Sequence, residues 1–238
     1  VEAGLRSYNR QMPEELNRIL TDHISDFLFT TEESANKNLK NEGINKDKVF
    51  FVGNVMIDSL LSHREKAKKS KILFKLNIKR NEYAVLTLHR PSNVDNKMSL
   101  EHVIGILDKI QQKIKVVFPI HPRTLKNTTK FKLDKQLKNQ KNLIITEPLG
   151  YLDFLALMSN SRFVLTDSGG IQEETTVLGV PCITMRDNTE RPVTVEQGTN
   201  VLVSTDRDRI IGASNKLIKG TNFKAKIPRF WDGKSAER

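Results

Sequence analysis

Short runs of β-branched and aromatic residues alternate with helix-patterned stretches along almost the whole of this 238-residue chain. Extended runs are expected at 49–52, 83–88, 115–120, 142–146, 162–166, 181–185 and 200–203. Helical patterns are expected at 13–26, 31–41, 99–112, 152–159, 170–178 and 207–219. A strand followed by a helix and another strand brings consecutive strands parallel, so this alternation predicts an α/β fold with a parallel sheet. The runs from 83 to 203 suffice for one complete doubly wound domain. The stretch before residue 54 has too few strands to close a core alone. It is expected to be the tail of a preceding domain or to dock onto something else. The opening Val1-Glu2-Ala3-Gly4 has no Met and reads as a truncated start.

Composition narrows the partners. The formal net charge is +11, which suits nucleic acid, a membrane surface or an anionic small substrate. The 39 Lys and Arg are scattered, however. Their densest cluster, Lys66, Lys68, Lys69, Lys71 and Lys75, has few aromatics around it and offers no base-stacking platform, so it reads as a solvated helix face. No nucleic-acid partner is expected. No apolar run reaches the length of a membrane helix, so no membrane partner is expected either. The single cysteine, Cys182, cannot form an internal disulfide or a Cys-based zinc site. It is expected to pack as a small core residue, and it fits a reducing, cytoplasmic setting.

Local signals refine the elements. The helix at 13–26 opens with Pro13 and carries Glu14 and Glu15 near the positive end of its dipole. The helix at 31–41 is expected to be capped by Thr31. Residues 64–70 read as an exposed helix end and 71–80 as a half-buried connection into the next strand.

In open α/β sheets ligands bind beyond the carboxyl ends of the strands, and the polar motifs fall there. The most informative is Thr166-Asp167-Ser168-Gly169-Gly170-Ile171-Gln172-Glu173-Glu174, where a strand ends, two glycines follow and a helix begins. Glycines let a ligand approach the backbone, and the free N–H groups of a helix start attract phosphate. An ordinary capped turn is the alternative on spacing alone. There is no Gly-x-Gly-x-x-Gly and no Walker-type sequence, which argues against NAD and ATP. His89-Arg90-Pro91 and His121-Pro122-Arg123 also follow strands, where a histidine or arginine can meet a phosphate, although plain turns would look the same. Met185-Arg186-Asp187-Asn188-Thr189-Glu190-Arg191-Pro192 is a highly charged loop that is either solvated or bound to a charged group. Glu2 and the pair Glu14 and Glu15 flank a loop where carboxylates could do acid–base work or merely open a helix.

Taken together and in order, Val1-Glu2-Ala3-Gly4-Leu5-Arg6, Pro13-Glu14-Glu15, Val52-Gly53-Asn54, His89-Arg90, Asp167 to Glu174 and Arg186 to Pro192 resemble the UDP-N-acetylglucosamine 2-epimerases, over the whole chain. The resemblance implies a GT-B-like architecture of two Rossmann-like domains with the first incomplete. Residues 1–54 would end the first domain, 55–225 would form the second, UDP-binding domain, and 226–238 would start a helix crossing back to the first. It implies reversible inversion at C2 of UDP-GlcNAc to UDP-ManNAc by elimination and re-addition of UDP, with no cofactor and no metal, in a homodimer. Carried over by position, Glu2, Glu14 and His89 would be catalytic. Ser168, Gly169 and Gly170 would hold the diphosphate, Glu174 the ribose hydroxyls, Phe154 would lie near the uracil, and Arg191 would complete the phosphate side. Arg90 and His121 match positions that bind an activating second UDP-GlcNAc in bacterial members. Two positions depart from the common pattern: Val193, where many members have Glu, and Pro91, where many bacterial members have Arg. Alternatives are an epimerase acting on a UDP-diacetamido uronic acid, a relative that hydrolyses to free sugar, and a non-catalytic UDP-sugar-binding fragment.

Overall fold

The computed structural model describes residues 1–220 and 225–238. Residues 221–224, within the span expected for the second domain, lie outside the described residues. The chain opens with α1 (Pro13–Ile24), β1 (Leu28–Thr30), α2 (Glu33–Asn41) and β2 (Val49–Phe51). Strands β1 and β2 pair in parallel over a small core of Ala3, Leu28 and Leu39. The opposite face of that sheet leaves Phe27, Phe29 and Phe50 exposed in tilted ring contact.

Helix α3 (Val55–Ala67) and the short α4 (Ile72–Lys75) lead into a six-stranded sheet. Its strands are β3 (Tyr83–Thr87), β4 (Lys115–Pro119), β5 (Leu143–Thr146), β6 (Phe163–Thr166), β7 (Cys182–Thr184) and β8 (Asn200–Leu202). The spatial order is β5-β4-β3-β6-β7-β8 and every pairing is parallel. The chain therefore winds outward from β3 in one direction, returns, and winds outward from β6 in the other. The order reverses between β3 and β6, and a crevice opens there beyond the strand ends.

Alternation along the strands supplies two cores. Ala84, Leu86, Val116, Phe118, Phe163 and Leu165 point to one face, beneath α6 (Lys97–Gln111) and α12 (Arg207–Lys219). Tyr83, Val85, Val117 and Val164 point to the other, beneath α3 and α9 (Tyr151–Ser159). Asn96 caps α6 through its side chain and Asp206 caps α12. Gly179 ends α10 (Gly169–Leu178) in the left-handed conformation at φ +69°.

Three local expectations are corrected. Thr31 does not cap α2; Glu32 stands at that position, without a side-chain cap bond. Thr31 is drawn out of the helix because its carbonyl accepts a 2.8 Å bond from Trp231 Nε1. Strand β1 is too short for its pattern to show in the sequence. The helix expected to start within 226–238 is absent: residues 225–238 run in turns and irregular backbone.

This tail packs on residues to either side of Gly53. Trp231 is buried with Ile57 and Val193, and Arg238 Nη1 donates to Val52 O at 3.0 Å. Asp58 accepts from the backbone N–H groups of Ser235 and Ala236. Gly53, at φ +94°, is where the tail comes closest: a Cβ there would lie 2.1 Å from Phe230 O. Beside the same seam, burial pushes the Glu32 carboxyl up to about 7 against the opposing pull of Ser34 and Arg191.

Trp231→Ala is expected to cost about 3–5 kcal/mol by urea denaturation, because it empties a filled site and orphans the Thr31 carbonyl. Glu32 holds its proton more tightly folded than unfolded. Its contribution is therefore full below the ordinary carboxylate range and is lost as pH rises through about 7. Glu32→Gln is expected to gain stability over the parent between about pH 5 and pH 8, read as a difference in the two melting curves.

Candidate functional site

The crevice between β3 and β6 is organised by Asp167. This side chain is fully buried just past β6 and accepts from the backbone N–H groups of His89 and Arg90, at 3.0 and 2.8 Å, and from Asn93 Nδ2 at 3.1 Å. His89 Nδ1 lies 2.8 Å from Asp167 Oδ1. Burial acts to raise the Asp167 carboxyl, but these hydrogen bonds outweigh it and hold it below its ordinary range. An ionised carboxylate only accepts, so His89 carries a proton on Nδ1 and, when neutral, leaves Nε2 as the free base. The His121 ring stands 5.6 Å from the His89 ring, centroid to centroid, and its Nδ1 accepts from Arg123 N at the start of α7 (Pro122–Lys130).

A second cluster joins this crevice to the first 54 residues. Glu190, after β7, is 1% exposed, and its Oε1 accepts from Arg191 Nη1 at 2.7 Å. Arg186 reaches Oε2 at 2.8 Å, while Arg18 and Arg90 stand 3.6 and 3.8 Å from Oε1. Burial would raise the Glu190 carboxyl, but Arg191 and Arg186 hold it at about 2. Arg191 also contacts Glu173 at 2.8 Å and Glu2 at 3.6 Å. Burial pushes Glu173 up to about 7, a rise moderated by Arg191. Arg90 stands 3.4 Å from Glu14.

The loop bearing Glu2 is firmly held. Gly4 N donates to Asp22, and the Arg6 guanidinium spans Asp22 and Glu42 at 2.7 Å each. Glu15 is buried and accepts from Ser7 N and Tyr8 N, which fixes the turn into α1 and leaves neighbouring Glu14 facing Arg90. Glu2 itself adopts φ +61°, uncommon for a residue with a side chain.

Helix α10 starts at the crevice. A Cβ on Gly169 would lie 2.6 Å from Arg191 Nη1 and 2.9 Å from Glu190 Oε1, so its absence lets the Arg191–Glu190 pair pack under the helix start. A Cβ on Gly170 would meet nothing within 4 Å, so the space on that side of the helix start is open. Ser168 is the N-cap but makes no side-chain cap bond. Glu174, one turn further on, is buried, which raises its carboxyl, and Tyr151 OH donates to it at 3.2 Å.

The structure thus joins Glu2, Glu14, Arg90 and Arg191 in one ion-pair chain, with Gly169 packed against it. His89 and His121 sit ring to ring beside it. Phe154 is half-buried against the core under α9, and it is Tyr151, not Phe154, that α9 presents to Glu174. Asp167, Glu190, Arg18 and Arg186 are not singled out by sequence, and Glu173, expected beside Glu174 as an acceptor for sugar hydroxyls, is instead buried against Arg191. The signal for Asp167 was its place directly after a strand; for Glu190, its place between two arginines.

Among the described residues no helix is long and apolar enough to cross a membrane. The family profile described as UDP-N-acetylglucosamine 2-epimerase matches residues 1–238. The UDP-N-acetylglucosamine 2-epimerase of Methanocaldococcus jannaschii is 48% identical over 244 residues, covering 100% of this chain and 66% of that protein. The UDP-2,3-diacetamido-2,3-dideoxy-D-glucuronate 2-epimerase of Pseudomonas aeruginosa is 42% identical, covering 93% of this chain and 60% of that protein. The crystal structure of the M. jannaschii UDP-GlcNAc 2-epimerase in complex with UDP-GlcNAc and UDP superposes with a TM-score of 0.92 at 46% identity, covering 100% of this chain and 66% of that one. The Neisseria meningitidis enzyme bound to UDP-GlcNAc superposes at 0.85 and 32% identity, covering 100% and 67%. The chain spans 60% to 66% of the length of these two curated relatives. Its α/β fold is GT-B-like, as in these neighbours. With the profile matched from end to end and close to half its residues identical to such a relative, the chain belongs to the UDP-N-acetylglucosamine 2-epimerase family.

Proposed function

We propose that the protein, in its intact form, interconverts UDP-N-acetylglucosamine and UDP-N-acetylmannosamine. The observation that carries this reading is that an Asp167-oriented histidine, His89, and the loop carboxylates Glu2 and Glu14, through Arg191 and Arg90, are gathered at the α10 N-terminus beside Gly169. The M. jannaschii relative, seen with UDP-GlcNAc and UDP, supports the nucleotide sugar as ligand.

In this reading the diphosphate lies at the α10 N-terminus, where Ser168, Gly169 and Gly170 offer backbone N–H groups and Arg191 completes the phosphate side. Glu174 takes the ribose hydroxyls and Phe154 lies on the uracil side. A carboxylate removes the C2 proton as the C1–O bond breaks, giving 2-acetamidoglucal and UDP. Proton return to the opposite face of C2 with re-addition of UDP at C1 completes the inversion. Glu2 and Glu14 are the carboxylates for the two faces. His89, its Nδ1–H held by Asp167, donates to the departing phosphate oxygen from Nε2–H when the ring is the imidazolium. Arg90 and His121 form the side on which a second nucleotide sugar would act. The buried Cys182 thiol, which burial raises to about 11, is unreactive and suits a cytoplasmic protein.

A second reading is an epimerase for a UDP-diacetamido uronic acid, favoured by the P. aeruginosa relative at 42% identity. Proton NMR of the intact protein with each nucleotide sugar in D2O separates the two. Deuterium at C2 together with UDP-ManNAc is expected. Free ManNAc would indicate hydrolysis, and no turnover of either sugar would leave only binding. His89→Ala and Glu14→Gln are each expected to lower that turnover about 10²- to 10⁴-fold while UDP binding persists, and full activity in either would remove the residue from the catalytic set. Glu174→Ala is expected to weaken UDP binding about tenfold by calorimetry, and unchanged affinity would overturn the ribose assignment.

A further inference from the structure

Glu190 occupies an unusual electrostatic position. A single buried carboxylate meets four guanidinium groups, those of Arg18, Arg90, Arg186 and Arg191. They come from two parts of the chain: Arg18 from α1 in the first 54 residues, the others from loops after β3 and β7. Two of the four are the same arginines that face the proposed bases. Arg191 stands 2.7 Å from Glu190 but 3.6 Å from Glu2, and Arg90 lies between Glu14 at 3.4 Å and Glu190 at 3.8 Å.

An arginine shared between two carboxylates moves toward whichever remains if the other loses its charge, because the Coulomb attraction grows as the separation shrinks. Glu190 is also close to the proposed diphosphate. Gly169, the first residue of α10, has room only for a hydrogen where a Cβ would touch both Arg191 Nη1 and Glu190 Oε1. The negative charge of Glu190 therefore sits directly under the helix end that would attract phosphate, and opposes that attraction.

We propose that Glu190 is a positioning residue that holds Arg191 back from Glu2, leaving that carboxylate free to reach the sugar. This rests on the epimerase reading above. It makes a prediction of opposite sign for binding and for turnover. Without the charge of Glu190, Arg191 pairs more closely with Glu2, and the site as a whole becomes more positive toward a diphosphate.

The experiment is Glu190→Gln in the intact protein, with UDP affinity measured by calorimetry and kcat measured on UDP-GlcNAc. UDP is expected to bind about threefold or more tightly while kcat falls about tenfold or more. Damage to the fold alone would weaken UDP binding and turnover together, and that pattern overturns the proposal, as does an unchanged kcat. If Glu190→Gln does not fold, Glu190→Asp decides instead. Its carboxylate keeps the charge but retreats from the arginines by one carbon–carbon bond, so slower turnover with UDP affinity within about twofold of the parent supports the proposal, and an unchanged kcat or a loss of UDP binding overturns it. Failure of the parent protein itself to bind UDP or turn over UDP-GlcNAc would instead remove the underlying reading.

Discussion

The crevice depends on one buried carboxylate at the point where the sheet reverses. Strands β3 and β6 are neighbours in space but 75 or more residues apart along the chain, and Asp167 ties their exits together. It neutralises two backbone N–H groups after β3 that would otherwise be buried without partners, and it orients the His89 ring through Nδ1. A shape requirement of the fold and a protonation requirement of the chemistry are thus met by the same side chain. Its depth in the protein makes this costly unless every lone pair is used, and the bonds from His89, Arg90 and Asn93 use them.

Around this anchor, charge is arranged as an alternating lattice rather than as isolated pairs. Glu14, Arg90, Glu190, Arg191 and Glu2 follow one another in space, with Glu173 behind Arg191 and Arg18 tying in α1. Buried ion pairs contribute little net stability because desolvation offsets their attraction. Their effect here is geometric: the guanidinium groups are fixed at the mouth of a helix start whose own dipole attracts anions. Glycine at 169 permits that proximity.

The lattice also crosses the boundary between the first 54 residues and the rest, and it does not cross alone. Trp231 and Arg238 reach back to Thr31 and Val52, and Gly53 gives way to the Phe230 carbonyl. The small β1–β2 unit, whose own core is only a few residues, is held against the large sheet by the tail on one side and by arginine–carboxylate contacts on the other. Glu2 and Glu14 owe their position beside Arg191 and Arg90 to that attachment.

The alternation of strand and helix patterns was enough to establish a parallel α/β fold, because period-2 and period-3.6 patterning are local properties. The strands from Tyr83 onward and helix α12 lie where their residues predict. The same local chemistry marked the Gly169-Gly170 helix start and the strand-end histidines. Short elements were lost: β1 offers three residues of pattern, and the turns after residue 225 carry no period at all. The cap at Thr31 was misread because a tryptophan 200 positions away claims its carbonyl. What only the tertiary structure decided was partnership. Asp167, Glu173 and Glu190 look in sequence like ordinary acidic residues near a turn or helix start. Their burial, and the arginines and histidine they hold, exist only once β3, β6 and β7 lie side by side, because electrostatic pairing depends on distance in space and not on separation along the chain.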